Sequence, residues 1–308
     1  MKTGVMSGLN PTLKFLMVLI FVLTSAFLLT VISFLVAVPF FGIDDLIAMS
    51  RGQASLSLLK YLQMTQSLTV FIIPSLLSAF MLSRKPLLWL KFRTPKLLFL
   101  LVVVLIFVSV QPLTGWLGYV NTKMDLPDFL QSVERWMLNA ESAANSLIFQ
   151  FLDTDSIGSV TVNFFMMVLL PAFGEELLFR GAIQSSLKKA VKNHHLAVWI
   201  TAILFSALHM QFFTFAPRLL LGALLGYLLV YGKSIWYPVL GHFTNNLLSF
   251  IMFYYYRTQI PGVNPLDSSA EQPDWWLILA GTVFMIGLFG WFRSRSKLDL
   301  PVVISRGK

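Results

Sequence analysis

The segment Gly174-Glu-Glu-Leu-Leu-Phe-Arg-Gly181 puts two adjacent carboxylates and an arginine directly after an apolar run, Val160 to Phe173. Ionisable groups beside or inside such runs are costly to keep, which makes them functional candidates by default. On an α-helix turning about 100° per residue, Arg180 lies roughly 40° from Glu176 and roughly 140° from Glu175. Glu176 and Arg180 then form an i,i+4 pair that neutralises itself, and Glu175 needs another partner. Two further motifs offer one: Phe205-Ser-Ala-Leu-His209 and His242-Phe-Thr-Asn-Asn246. His242 and Asn246 share one helix face, and Phe205 sits under His209 where it can fix the ring by packing. Taken singly, each of these residues has a plain structural explanation as a helix-to-helix hydrogen bond or a salt-bridged helix end. Taken together, one unpaired glutamate, two histidines and one asparagine from three apolar stretches have little to satisfy them except each other.

Two chemistries fit this set. In one, Glu175 is a general base that takes a proton from a water also held by His209, while His242 and Asn246 donate hydrogen bonds to the oxyanion of a tetrahedral intermediate. In the other, Glu175, His209 and His242 bind a catalytic zinc as a His-His-Glu set with an open position for water. The usual His-Glu-x-x-His signature of a zinc peptidase is missing, because the two histidines lie in different spans. Counted from the inner ends of their spans, His242 lies about 12 Å deep and His209 about 20 Å, at 1.5 Å per residue.

The elements that must position these groups are membrane helices. The chain has 308 residues, of which 56% are hydrophobic and 12% charged, against about 25% charged in soluble domains. Nearly uncharged segments of span length recur throughout, which predicts one integral membrane domain over residues 1–308 with a catalytic core at 160–250. The expected architecture is an all-α polytopic bundle of about eight transmembrane helices: 15–41, 65–83, 97–119, 158–173 continuing to about 191, 196–213, 216–232, 234–256 and 275–292. The first is read as a retained span, since its apolar run exceeds a signal-peptide core.

With eight spans both termini lie on one side, and that side collects sixteen Lys and Arg against six on the other, with Arg180 completing the 23. The positive-inside rule therefore places both termini in the cytoplasm. The net charge of +9 has the same origin, and without a basic face interleaved with aromatics it does not indicate nucleic-acid binding. The absence of cysteine excludes disulfides and thiolate metal sites. Between the third and fourth spans, Pro127 to Phe151 reads as an amphipathic helix on the outer surface. Pro127 is expected at its first helical position. Phe129, Val133, Trp136, Met137, Ala140, Ala144, Leu147, Ile148 and Phe151 are expected on the apolar face, with Asp128, Glu134, Arg135, Glu141 and Asn145 on the polar one. Gly222 and Gly226 form a small-xxx-small pair, read as close helix packing. His194 and His195 are expected in a solvated loop.

Glu175-Glu176-x-x-x-Arg180, Phe205-x-x-x-His209 and His242-x-x-x-Asn246, in that order within a polytopic chain, resemble the CPBP family. It comprises CAAX prenyl endopeptidases and bacteriocin-processing or immunity relatives, and is also called the Abi family. The resemblance covers about residues 160 to 250. It implies a glutamic-type intramembrane endopeptidase in which Glu175 and His209 activate water, His242 and Asn246 form the oxyanion site, and Glu176, Arg180 and Phe205 support them. It implies no cofactor beyond the water, although relatives have also been described as metalloproteases. The expected substrate is a hydrophobic or lipid-anchored peptide or protein, taken from a cavity open toward the cytoplasm and the bilayer of a bacterial plasma membrane. The rival expectation from another class is a non-proteolytic immunity or scaffold protein that binds a peptide at the same polar cluster.

Overall fold

The computed structural model describes residues 3–259 and 274–298. The outer loop expected at Pro261–Pro273 lies outside the described residues, as does the basic tail from residue 299 onward. Among the described residues there is no strand. The long helices are α1 (Pro11–Met49), α2 (Leu56–Leu82), α3 (Leu97–Thr122), α4 (Gln131–Leu152), α5 (Ile157–Val191), α6 (His194–Ala207), α7 (Phe215–Gly232), α8 (Trp236–Gln259) and α9 (Trp275–Leu298). Helix starts follow local chemistry: Asn10 caps α1 ahead of Pro11, Ser55 caps α2, and the Asn193 side chain accepts from the N–H groups of His195 and Leu196. His194 and His195 therefore open α6 instead of lying in a loop, and His195 Nδ1 is 2.8 Å from the Tyr227 hydroxyl.

Six of these helices are long and apolar enough to cross a membrane: α1, α2, α3, α5, α7 and α9. The two other expected spans differ. α6 is apolar but has only 14 residues, about 21 Å at 1.5 Å per residue. It ends at Ala207, where the chain turns through Met210 in the left-handed region (φ 54°). α8 has the length, with 24 residues, but His242, Thr244, Asn245, Asn246 and Ser249 make it less apolar.

The amphipathic helix is present as α4, with two departures from expectation. Pro127 is extended (φ −56°, ψ 150°) and precedes a short 3₁₀ turn, Asp128–Leu130, so it lies outside the helix. The face is also rotated. Phe129 and Trp136 point outward, 81% and 50% exposed, while Glu141 is buried and its Oε2 accepts from the Phe213 N–H at 3.4 Å. Burial raises the Glu141 carboxyl above its ordinary range, with the Phe213 N–H opposing.

Contacts between chain-distant segments define two ends of the bundle. At one, Gly4 N–H donates to Phe80 O, Ile235 N–H donates to Lys91 O, and Arg293 lies over the Tyr231 ring. Both described chain ends belong here. At the other, Asn121 bonds Phe212 and Ala216, and Arg257 pairs with Asp153 and Asp155. α4 and the α6–α7 turn lie at this second end.

Two apolar clusters flank α5. One joins α1, α2 and α5 through Val18, Leu82, Leu90, Leu177 and Phe179; the other joins α3, α7, α8 and α9 through Phe99, Phe107, Leu228, Tyr237 and Phe292. Between them, Gly222 and Gly226 let α7 approach α5 and α6. The Arg180 and Gln184 side chains donate to the carbonyls of Gly222 and Gly226 at 3.1 and 3.0 Å. A Cβ on Gly226 would stand 2.8 Å from Gln184 Oε1 and 2.9 Å from Val198 Cγ1, whereas one on Gly287 would meet nothing within 4 Å. Gly226→Ala should therefore destabilise the protein by about 1–3 kcal/mol through overpacking. Gly287→Ala, a gain in helix propensity at an open site, should not. Thermal unfolding of the two variants side by side in detergent checks this.

Candidate active site

α5 is not a uniform α-helix. π-helical turns at Phe165–Leu169 and Leu177–Gln184 bracket the α-helical piece Leu170–Glu176, a departure that in helices is frequent at functional sites. The i,i+4 pair survives the change: Arg180 Nη1 donates to Glu176 Oε1 at 2.8 Å, both side chains fully buried. The same oxygen lies 2.8 Å from His242 Nδ1. Because Arg180 holds Glu176 as a carboxylate acceptor, the His242 contact is an Nδ1–H donor, and Nε2 is left facing the other way. His209 is fixed in the same sense. Its Nδ1 lies 2.7 Å from Phe205 O, a carbonyl that only accepts, so this nitrogen carries the proton and Nε2 presents a lone pair.

Both Nε2 atoms point at one oxygen. His209 Nε2 and His242 Nε2 are each 3.9 Å from Glu175 Oε2, which is buried and has no hydrogen-bond partner. That spacing is too long for direct hydrogen bonds and matches one bridging water with two bonds of about 2.8 Å. For a tetrahedral zinc with bonds of 2.0–2.1 Å, donor atoms would need to stand about 3.4 Å apart. Among the described residues no group of three His, Cys, Asp or Glu side chains is placed to hold a metal ion.

Phe205 is the hub beneath both imidazoles, with ring centroids 4.9 Å from His209 and 5.8 Å from His242, and the Arg180 guanidinium sits 4.5 Å above its centre. Asn246, one helical turn beyond His242, donates from Nδ2 to Met167 O at 3.3 Å. Pro171, four residues after Met167, has no N–H to offer that carbonyl. The second Nδ2 hydrogen of Asn246 remains for the cavity that it lines.

All four candidate catalytic residues line one cavity of about 740 Å³, and Phe205 lines it with them. Glu176 and Arg180 lie behind its wall. Met166, Phe151, Phe250 and Phe253 form an apolar side facing the polar groups. Beyond the glutamate, the lining passes through Gln63, Gln111, Thr114, Ala144, Gln211 and Thr214, all in the half of the bundle that carries α4. The cavity thus extends into the half of the bundle opposite the chain termini.

Among the polar residues of the cavity that sequence reasoning did not single out are Gln111, Asn245 and Arg218. Gln111 donates to Asn245 Oδ1 at 3.2 Å, and Asn245 donates to Asn246 Oδ1 at 3.4 Å, a relay that orients the Asn246 amide. Arg218 lines the cavity with its Nη2 donating to Gln211 Oε1 at 2.8 Å. Gln111 and Asn245 are polar residues inside expected spans, and Arg218 stands near the start of one.

Two classes of variant should separate in stability. Arg180→Met leaves Glu176 charged and buried with half its partners, and should cost about 3–5 kcal/mol of unfolding free energy. Glu175→Gln removes a charge that has no ion-pair partner within hydrogen-bond distance, and should leave the unfolding midpoint nearly unchanged in the same measurement.

No curated protein and no solved structure matches the chain. Residues 157–248, which contain all three motifs, match the family model of the type II CAAX prenyl endopeptidases, Rce1-like, a match consistent with the CPBP family and with an integral membrane peptidase.

Proposed function

We propose that the chain is a glutamic intramembrane endopeptidase that hydrolyses a peptide bond in a hydrophobic or lipid-anchored peptide or protein. The observation that carries this reading is the convergence of Glu175 Oε2 with both imidazole Nε2 atoms on the wall of one cavity. A water there donates one hydrogen to Glu175 and the other to His209 Nε2, which leaves its lone pairs toward the substrate carbonyl. As the oxygen attacks, Glu175 takes the first proton. The oxyanion is received by Asn246 Nδ2–H and by the cavity-facing edge of His242, which Glu176 orients from the other side. On collapse, the C–N bond breaks and Glu175 returns its proton to the leaving amine. The scheme needs no cofactor beyond the water.

Glu175→Gln should lower cleavage at least about a hundredfold, the scale of a lost general base, while folded protein accumulates normally. Comparing membrane proteomes of cells with wild-type and Glu175→Gln protein should reveal a membrane-proximal terminus present only with the former. An unchanged phenotype would favour a peptide-binding role. Zinc dependence is tested separately: activity should survive chelators, and reversible loss with rescue by zinc would overturn the metal-free scheme.

The charge bias of sixteen Lys and Arg to six supports cytoplasmic termini in a bacterial plasma membrane. The cavity then extends into the exterior half of the bundle. The cysteine-free chain allows a direct check with single cysteines at Ser142 on α4 and Ser294 on α9, both exposed. A membrane-impermeant maleimide added to intact cells should label Ser142→Cys and spare Ser294→Cys; the opposite pattern would reverse the orientation.

A further inference from the structure

Five cations gather where α1 begins and α5 ends. Lys14 stands in the first turn of α1, Lys188 and Lys189 in the last turn of α5, and Lys91 and Arg93 in the segment that joins α2 to α3. Among the described residues none of the five has an ion pair. Apart from the buried Glu175 and Glu176, every described Asp and Glu lies on or beside α4 or at the far ends of α1, α3 and α9. Burial, and then the charges of Lys189, Arg93 and Lys188, push the Lys91 ammonium down to about 8. Lys192 and Lys233 close the long helices α5 and α7, whose dipoles account for them. Lys91 follows only the single turn Pro86–Trp89, in a left-handed conformation (φ 68°), and no helix dipole explains its charge.

The neighbouring surface is apolar. Pro95 and Leu100, Leu169 and Phe173 of α5, and Trp236 and Phe243 of α8 line an open groove of about 410 Å³ with no charged side chain in its wall. The segment 91–95 joins this groove to the cations. Ile235 N–H donates to Lys91 O and the Ser234 hydroxyl to Arg93 O, both just ahead of Trp236. Between them the Phe92 ring packs on Phe173 and Trp236, with centroids 6.3 and 5.8 Å away. Arg93 is exposed, and the Lys91 ammonium is open to solvent without a hydrogen-bond partner. An apolar groove in a bilayer takes hydrocarbon, because an unfilled wall forfeits its dispersion contacts. Basic side chains at the end of that groove select a chain whose headgroup is an anion. We infer that this is a binding site for an anionic phospholipid, its phosphate on Arg93 and Lys91 and one acyl chain along the groove. Lys14, Lys188 and Lys189 add to the attracting field. The catalytic cavity is lined by Pro171, Glu175 and His242, so the two spaces share α5 and α8 as walls.

The test reads binding alone and is independent of the peptidase reading. The full chain in detergent is titrated with phosphatidylglycerol and with phosphatidylcholine carrying the same palmitoyl and oleoyl chains, and bound lipid is counted by native mass spectrometry. Phosphatidylglycerol should bind about tenfold more tightly, the scale of two basic side chains on one headgroup. Arg93→Gln with Lys91→Gln should remove the preference. Lys123→Gln with Arg135→Gln, which takes two charges from the opposite end, should leave it intact. Val239→Trp fills the groove from α8 and should weaken both lipids while the preference remains; Leu100→Trp repeats this from α3 if the first variant does not fold. Inorganic phosphate in large excess should not displace the lipid. Equal binding of the two lipids by the unsubstituted protein would overturn the inference with no variant needed. So would a preference lost equally in the control pair, binding indifferent to a filled groove in folded protein, or displacement by inorganic phosphate.

Discussion

Glu176 Oε1 accepts from two donors at once, Arg180 and His242, each at 2.8 Å and all in the interior. Two charges taken out of water are tolerable only when geometry and extra hydrogen bonds repay the desolvation. The repayment here is spread over three helices. Arg180 continues to the Gly222 carbonyl of α7, and His242 brings in α8. One carboxylate oxygen thereby fixes the mutual placement of α5, α7 and α8 and decides which imidazole nitrogen of His242 faces the cavity. The unpaired neighbour Glu175 is then free for a task that a salt-bridged carboxylate could not perform.

The angular argument from the sequence separated these two glutamates correctly, although the helix it assumed is π-helical from Leu177 onward. It succeeded because an i,i+4 pair stays on one face when the pitch loosens. Depth was harder to read. His209 and His242 seemed about 8 Å apart in depth at 1.5 Å per residue, yet their Nε2 atoms are equidistant from Glu175 Oε2. The difference lies in the end of α6, which stops at Ala207 and leaves His209 on a turn that carries a left-handed Met210. No glycine or proline marks that turn, and its anchor is tertiary: the Ser206 hydroxyl donates to Phe215 O. Glu141 was misplaced for a similar reason. Binary patterning assigns any carboxylate to water, and only the folded chain supplies the Phe213 N–H that draws it inward.

Which half of a membrane bundle is hollow cannot be read from hydropathy, because hydropathy records side-chain chemistry and not how side chains fill space. The end near the chain termini is filled by large side chains that interdigitate, among them Phe99, Tyr237, Phe292, Leu82 and Leu90. In the α4 half, Thr114, Gly115 and Ala144 contribute short side chains to the cavity wall. Alternating crossings then tie the open half to the end away from the termini. Side-chain volume, which hydropathy does not record, is what distinguishes the two halves.

Pro171 shows how a local defect becomes part of the site. A proline inside a helix withdraws the N–H that the carbonyl four residues earlier would receive and crowds that carbonyl as well. In α5 the carbonyl is Met167, within the π-helical turn that precedes the proline. Helices in a membrane tolerate such breaks when a neighbouring side chain satisfies the exposed group. The donor here is Asn246 Nδ2, itself oriented by Asn245 and Gln111. Anchoring one amide hydrogen on a backbone that cannot rotate away fixes the direction of the other. The break in α5 thereby positions an amide N–H contributed by α8 on the cavity wall, and it does so without adding a charge to the cavity.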